Sequence, residues 1–411
     1  MLKKILVSDL RLGMFLHELC GSWMEHPFWR KSFKITDPED LKRIQESSVR
    51  EVWIDTAKGL DVLADVDPSH VIRPEENAAE VERTLAQADA PPPKQPKKIQ
   101  KRITSAEERT RARNTINKSK KAVTLMFQEA RMGKALDAAN ALPLVEEITA
   151  SVSRNPGALI NLARLKTKDD YTYMHSIAVC ALMVALAHEM HLSDDEVRQA
   201  GLAGLLHDVG KMMIPLDVLN KPGKLTDEEF SVVKNHPVAG YEMLLEGTGV
   251  GEVTLDVCLH HHEKMDGSGY PHRLAGEQIS PFAKMGAVCD VYDAITSNRP
   301  YKAGWSPVES LQKMAEWSKG HFDPLIFQAF VKSVGIYPTG SLVRLESNRL
   351  AVVVDQSEKS LLMPIVKVFF SIKSNMRIVP ELLNLSKVQD KVVGHESPAQ
   401  WKINYLDELL D

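Results

Sequence analysis

Apolar residues recur every three to four positions between residues 142 and 336, with few alternating runs of β-branched residues. This spacing matches the turn of an α-helix, and it continues long enough to predict one helix after another. A stretch of about 200 residues is sufficient to bury a core of its own. We therefore expect a compact helical domain over residues 142–340, in a protein that is mainly α.

Two smaller regions with β-strand patterns flank this domain. Residues 1–66 alternate short apolar runs with turn residues, and Asp37 followed by Pro38 predicts a capped helix start among them. We interpret these residues as a small α+β domain. Residues 341–411 contain three β-rich runs, at 342–345, 350–354 and 366–370, which predict a short C-terminal β appendage.

The connection between the first two regions is rich in proline and lysine. Pro91, Pro92, Pro93 and Pro96 interrupt a stretch that cannot continue a helix, so residues 67–105 are predicted to be a linker. Residues 91–121 contain eleven Lys and Arg against two acidic residues. Since no aromatic residue is interleaved to stack on bases, a solvated basic tether is favoured over a nucleic-acid or membrane-surface contact.

Residues 106–141 are predicted to form a connecting helix. The apolar positions Val123, Met126, Phe127 and Ala130 lie on one helical face. Such a face packs on a neighbouring part of the chain or on a second copy, so a homodimer remains an open alternative.

Composition excludes several classes of protein. The net charge is -4, which gives no overall attraction to a nucleic-acid polymer or an anionic membrane. The longest unbroken apolar run, at residues 177–187, is far shorter than the ~20 residues that cross a bilayer, so no membrane insertion is expected. Asp9 and Arg11 interrupt the first apolar stretch before a signal-peptide core forms. We expect a cytoplasmic protein whose four separated cysteines are reduced and mostly buried.

Histidine is concentrated in the predicted helical domain, where nine of the 14 lie between His175 and His272. His207 and Asp208 are adjacent near the end of an apolar helix. Such a pair can bind one divalent ion, or its carboxylate can bridge two. Lys211 follows closely and is placed to face a phosphate. Alone, this dipeptide is better explained as two ordinary polar residues at the surface, because it arises by chance in a chain of this length.

Further histidines and an aspartate accompany that pair: His175, His236, His260, His261, His262 and Asp290. Asp290 and Asp293 are three residues apart on a mostly apolar helix predicted over residues 282–298, and burying an unpaired carboxylate is costly. Imidazoles and carboxylates with few thiols suit iron, manganese, zinc or nickel rather than calcium. The set therefore predicts a metal site, although each single histidine could be a hydrogen-bonded core or surface residue.

A glycine-rich segment follows the histidine triplet and contains Asp266, Gly269, Tyr270 and Pro271. The glycines permit close backbone approach and the Tyr-Pro pair restricts the chain, so a shaped loop is expected beside the histidines.

Three motifs together make residues 142–340 resemble the bacterial HD-GYP family of cyclic di-GMP phosphodiesterases, in the HD phosphohydrolase superfamily. They are His-Asp at 207–208, His-His-Glu at 261–263 and Gly-Tyr-Pro at 269–271. Residues 10–14, 23–28 and 54–61 resemble the uncharacterised domain that often precedes HD-GYP domains.

The resemblance implies roles for particular residues. Asp208 and Lys211 would be catalytic, with Lys211 on the scissile phosphate. Asp266, Gly269, Tyr270 and Pro271 would shape the substrate site, and Arg299 and Lys302 would contact the dinucleotide phosphates. His260 is not required by the motif and is interpreted as a core residue or as a support for the ligands. The implied metal ligands are His175, His207, Asp208, His236, His261, His262 and Asp290.

The resemblance also implies an activity, the hydrolysis of cyclic di-GMP to linear pGpG and then to GMP after a second cut. Two divalent ions, iron or manganese first and nickel, zinc or magnesium as alternatives, would share a bridging hydroxide for in-line attack. Some family members place a glutamate ligand for a third ion where this chain has Tyr171. A neutral phenol is a poor ligand, so two ions are expected.

Two alternatives remain open at this point. The domain could be a cyclic di-GMP-binding effector, or a docking module whose GYP loop meets the GGDEF domains of diguanylate cyclases. It could also be an HD phosphohydrolase of another nucleotide.

Overall fold

The computed structural model describes residues 1–20, 32–47, 49–63, 71–88, 105–163, 171–221, 225–297, 304–357, 360–398, 400–403 and 405–410. Residues 23–28, much of the predicted linker, Arg299 and Lys302 lie outside this part of the chain. The described residues divide into two compact units.

The first unit consists of residues Met1–Ala86 and Gln312–His321. Its antiparallel sheet has the strand order β3-β2-β4-β1-β5. The strands are β1 (Leu2–Leu6), β2 (Phe15–Leu19), β3 (Phe33–Lys34), β4 (Glu51–Asp55) and β5 (Val71–Ile72), and the helices are α1 (Pro38–Glu46) and α2 (Pro74–Gln87). Asp37 caps α1 by accepting a hydrogen bond from the Glu39 amide. The α+β fold expected from the sequence is confirmed.

This unit includes part of a helix that lies far along the chain. The side chain of Trp53 on β4 donates a hydrogen bond from Nε1 to Glu316 at 2.8 Å. Lys313 donates to Glu18 on β2 at 3.0 Å, and Lys319 lies 2.6 Å from Glu80 on α2. Residues 312–321 therefore group with the N-terminal unit. The domain boundaries predicted from the sequence place them in the helical domain, and those boundaries stay a prediction.

The second unit is built from helices followed by a sheet. In chain order its α-helices are α3 (Ser105–Arg131), α4 (Leu142–Arg154), α5 (Pro156–Ala163), α6 (Tyr171–Glu189), α7 (Asp194–Leu206), α8 (Leu216–Leu219), α9 (Asp227–Lys234), α10 (His236–Leu245), α11 (Glu252–His260), α12 (Pro281–Thr296), the first residues of α13 (Pro307–His321) and α14 (Pro324–Val334). From Gln312 onward, α13 belongs to the first unit. The mainly α fold is confirmed.

Helix α6 forms the centre of this unit. It packs against α4, α5, α7, α12 and α14, and every residue from Met174 to Ala187 is buried. By length and mean hydropathy it could cross a membrane, yet 78% of its apolar window is buried among the other helices. This is the pattern of a core helix. His175, at its N-terminal end, is carried into the interior with it.

Helix α3 packs on α5, α4 and α6 within the same unit. The apolar face predicted from the sequence is the packed one, because Val123, Phe127 and Ala130 are buried. The face that could have met a second copy is therefore covered by the chain's own helices.

The C-terminal sheet is antiparallel with the strand order β10-β6-β7-β8-β9. Its strands are β6 (Leu342–Leu345), β7 (Arg349–Asp355), β8 (Ile365–Ser371), β9 (Met376–Asn384) and β10 (Val392–His395). The first three correspond to the β-rich runs of the sequence. Strand β9 was missed because it is an edge strand with Met376, Val379 and Leu382 exposed, which removes the usual alternation of buried and exposed residues.

Candidate metal centre

Two helices of the core carry one side of the centre. His175 near the start of α6 and Asp290 in the middle of α12 are both buried, and His175 Nε2 lies 3.0 Å from Asp290 Oδ1. Asp293, one turn further along α12, lies with its Oδ2 2.6 Å from His175 Nδ1. The two carboxylates predicted to share a helical face therefore meet the two different nitrogens of one imidazole.

The His-Asp pair lies at the end of α7 rather than within it. The helix ends at Leu206, His207 follows as its C-cap, and Asp208 precedes a 3₁₀ turn over Val209–Met213. A Cβ atom on Gly210 would lie 1.9 Å from the His236 carbonyl oxygen, so only glycine lets this turn pack so closely on α10. That packing brings Asp208 Oδ1 to 3.1 Å from His236 Nε2.

The turn also places Lys211 beside the pair. Its ammonium group contacts the Asp208 carboxylate directly. Arg131, the last residue of α3, donates hydrogen bonds to the carbonyls of Lys211 at 3.3 Å and Ile214 at 3.1 Å, which fixes the turn from outside.

The remaining histidines come from helix ends. His236 is the first residue of α10, and His261 follows α11 as its C-cap, with His262 next. His236 Nε2 and His261 Nε2 are 3.3 Å apart, and the rings of His261 and His262 have centroids 4.1 Å apart.

The potential ligand atoms form two groups, each spanning at most 4.8 Å. We call His175, His207 and Asp208 the carboxylate-rich group, because it includes a carboxylate. We call His236, His261 and His262, which include none, the imidazole group. Asp208 faces both, since its Oδ2 lies 3.3 Å from His175 Nε2 and its Oδ1 lies 3.7 Å from His261 Nε2. Asp290 also faces both, with Oδ1 3.9 Å from His207 Nε2 and Oδ2 3.9 Å from His262 Nδ1.

Backbone carbonyls set which nitrogen of each ring is protonated. His207 Nδ1 lies 2.9 Å from the Gly204 carbonyl, His236 Nδ1 lies 2.8 Å from that of Val233, and His261 Nδ1 lies 3.0 Å from that of Val257. A carbonyl oxygen only accepts, so Nδ1 is the donor and the Nε2 lone pair of the neutral ring points into the centre. This is the usual arrangement of a metal-binding histidine.

Three buried ligand atoms of the centre have no hydrogen-bond partner among the described residues. They are His207 Nε2, Asp208 Oδ1 and Asp290 Oδ2. An unsatisfied buried polar atom is costly, and a lone pair or a carboxylate oxygen would be satisfied by a cation. The donor set of imidazoles and carboxylates therefore fits divalent transition metals.

The two groups differ in electrostatics. Burial lowers the pKa of His175, but its hydrogen bonds to Asp208, Asp290 and Asp293 outweigh burial and raise that pKa to about 10. Burial and the neighbouring His207 and His236 lower the pKa of His261 to about 3. The pKa values of Asp208 and Asp290 are held well below their usual range, because nearby basic groups outweigh burial.

The glycine-rich loop closes over the imidazole group. Glu263 is buried and accepts hydrogen bonds from the amides of His272 at 2.7 Å and Leu274 at 3.0 Å. The ring of Tyr270 stacks on His262 with centroids 4.7 Å apart. A Cβ on Gly269 would lie 2.5 Å from the Cα of Glu263, which explains the glycine.

The other members of this loop have local roles. Asp266 accepts a hydrogen bond from the Ser268 amide at 2.9 Å, and Pro271 follows Tyr270 in a cis peptide. His260 is partly buried and pairs with Asp256 at 2.7 Å and with His272 at 3.0 Å, so it lies outside both groups. The ring of Tyr171 stacks on that of His175.

Three contributing residues were given no role in the centre from the sequence. Asp293 had a signal in its three-residue spacing from Asp290, and Glu263 had one in its place in the His-His-Glu motif. Arg131 had none, because its contact with the turn after Asp208 spans some eighty residues of sequence.

Comparison with known proteins agrees with these motifs. Residues 2–141 match the model of a domain of unknown function, DUF3391, and residues 147–326 match that of the HD domain. A Pseudomonas aeruginosa protein named cyclic di-GMP phosphodiesterase is 53% identical over 414 residues, covering 100% of this chain and 95% of that protein. The chain belongs to the HD-GYP family. The expectation drawn from the three motifs is thereby confirmed.

More distant relatives match less than half of the chain. The cyclic di-GMP phosphodiesterase response regulator RpfG of Xanthomonas campestris is 38% identical over 198 residues, 47% of this chain and 52% of that protein. A Vibrio cholerae protein named 3'3'-cGAMP-specific phosphodiesterase 2 is 33% identical over 174 residues, 42% of this chain and 33% of that protein. Relatives within one family are thus named for different cyclic dinucleotides.

Proposed function

We propose that this chain is a metal-dependent phosphodiesterase that hydrolyses cyclic di-GMP to linear pGpG, and pGpG more slowly to GMP. The observation that carries the proposal is the pair of ligand groups that face both oxygens of Asp208. The relative that is 53% identical over the whole chain supports the choice of substrate.

The proposed metal ligands are His175, His207, Asp208, His236, His261, His262 and Asp290. Two divalent cations, iron or manganese, would supply charge neutralisation at the phosphate and a nucleophile from water. A count of two is supported by the two ligand groups, and by Tyr171 at the position where a third ion would need a carboxylate. Nickel, zinc and magnesium remain alternatives for the same ligands.

The chain's own side chains would position the phosphodiester. Asp208 would contribute a ligand atom to both cations, because its two oxygens face different groups. Lys211, whose ammonium lies at the Asp208 carboxylate, would turn to a non-bridging phosphate oxygen and offset developing charge. Arg299 and Lys302 are proposed to bind the phosphates of the dinucleotide.

The loop with Asp266, Gly269, Tyr270 and Pro271 would exclude water above the imidazole group. Its stacking of Tyr270 on His262 supports this role. The same loop is the proposed contact for a GGDEF domain, and a homodimer and a cytoplasmic location remain further proposals for the chain.

The test is turnover of cyclic di-GMP by the purified full chain loaded with manganese or with iron, with products separated by chromatography. We expect pGpG to form first and GMP to follow slowly. Binding of cyclic di-GMP without product would favour the effector alternative and would contradict our proposal.

Lys211 provides a second test. Lys211→Ala should lower turnover by about a hundredfold while both metals stay bound, because its charge acts on the phosphate. Lys221→Ala is the matched control, since Lys221 pairs with Glu229 away from the centre. Loss of metal from Lys211→Ala in proportion to activity would instead make Lys211 a support for Asp208.

A further inference from the structure

A groove with a volume of about 730 Å³ opens beside His236. One wall is the 3₁₀ turn that follows Asp208, which contributes Gly210, Met213 and Ile214, and the other wall is formed by α9 and α10. Of the proposed metal ligands, His236 alone lines the groove, and its Nε2 lies 3.1 Å from Asp208 Oδ1. The groove and the candidate metal centre therefore share one residue.

The walls of the groove present apolar surface to water. Met213 is 61% exposed on one wall and Val232 is 45% exposed on the other. Covering such surface is favourable, and a flat ring system between two apolar side chains covers both at once. A nucleobase has this shape.

The polar residues of the groove narrow the choice of base. The Asp227 carboxylate makes no hydrogen bond or ion pair with another described residue, whereas the Thr226 hydroxyl lowers the pKa of Glu228 by hydrogen bonding to its carboxylate. A carboxylate only accepts hydrogen bonds. Guanine offers two adjacent donors, N1–H and the N2 amino group, whereas adenine has an acceptor at N1. Asn235, also in the lining, can donate to guanine O6 or N7.

We propose that this groove is a guanine subsite and that Asp227 determines its specificity. The Asp227 carboxylate accepts hydrogen bonds from N1–H and the N2 amino group of one base of the substrate, while Met213 and Val232 contact the faces of that base. The inference rests on the proposed function for the identity of the whole substrate. Recognition of a guanine mononucleotide is independent of turnover.

The experiment compares the binding of GMP and AMP to the metal-loaded full chain by calorimetry. The two nucleotides share their phosphate and ribose, so the ratio of their dissociation constants isolates the base. We expect the wild-type chain to bind GMP about tenfold more tightly than AMP, and Asp227→Asn to abolish the difference. Glu228→Gln, in the same groove, is the matched control and should keep the wild-type ratio.

Three results would overturn the subsite. They are a wild-type ratio of the two dissociation constants near one, an unchanged ratio in Asp227→Asn, or an equal loss of the GMP preference in Glu228→Gln. Hydrolysis of cyclic di-GMP is assayed on the same preparations. Absence of hydrolysis would reject the proposed function, while a preference for GMP that Asp227→Asn removes would still support the subsite.

Discussion

The two halves of the candidate metal centre are built on different principles. In the carboxylate-rich group, His175 lies on the core helix α6 and Asp293 supports it from behind at 2.6 Å, while His207 and Asp208 follow the end of α7. In the imidazole group every residue lies at a helix end, and backbone carbonyls support His236 and His261. A carboxylate behind an imidazole makes that imidazole a stronger ligand than a carbonyl does. We therefore expect the carboxylate-rich group to hold its ion more tightly.

The largest effect is expected where the two halves meet. Asp208→Ala should lower turnover at least about a thousandfold and empty both groups, because Asp208 faces both. Metal analysis and circular dichroism of the purified variant would check this. Asp217→Ala, an exposed carboxylate on α8, is the control. A variant that keeps two ions and full turnover would show that Asp208 does not join the halves.

The comparison itself is tested by removing one histidine from each half. His261→Ala should retain one ion, because the carboxylate-rich group remains intact. His175→Ala should retain less than one ion per chain, since it disrupts the half that is expected to bind its ion more tightly. Metal content after dialysis against a weak chelator separates the two variants. Equal retention would mean that the halves have equal affinity.

A smaller effect is expected from the residue behind His175. Asp293→Asn keeps a hydrogen-bonding side chain but removes the charge. It should lower the affinity for one of the two ions by about 10- to 100-fold. Competition with a chromogenic chelator would measure both ions separately. Weakening of both ions alike would contradict a role confined to the carboxylate-rich group.

The smallest effect concerns the loop over the imidazole group. His272→Ala removes the 3.0 Å contact with His260 and should lower turnover about three- to tenfold, by loosening the loop that carries Tyr270. His272→Asn keeps a donor near the position of Nδ1 and should restore most of the activity. His395→Ala, on an exposed strand, is the control. Failure of the asparagine to rescue would assign the effect to something other than this hydrogen bond.

Local pattern was enough to predict much of this molecule. Helical spacing over residues 142–336 predicted the helical unit, and three β-rich runs predicted β6, β7 and β8. The edge strand β9 was not predicted, because an edge strand with both faces partly in water has no clear alternation of apolar and polar residues. The grouping of residues 312–321 with the N-terminal unit was not predicted either, since it depends on partners such as Trp53 that are remote in sequence.

The spacing of the His-Asp, His-His-Glu and Gly-Tyr-Pro motifs is local information, so the sequence was enough to recognise the family and to nominate the candidate ligands. How those candidates divide into two groups depends on tertiary packing. Which oxygen of Asp208 faces which histidine, and which imidazole is supported by Asp293, follow from the packing of α6, α7, α10 and α12. Burial and distance in three dimensions set these contacts, and neither is encoded in the separation of residues along the chain.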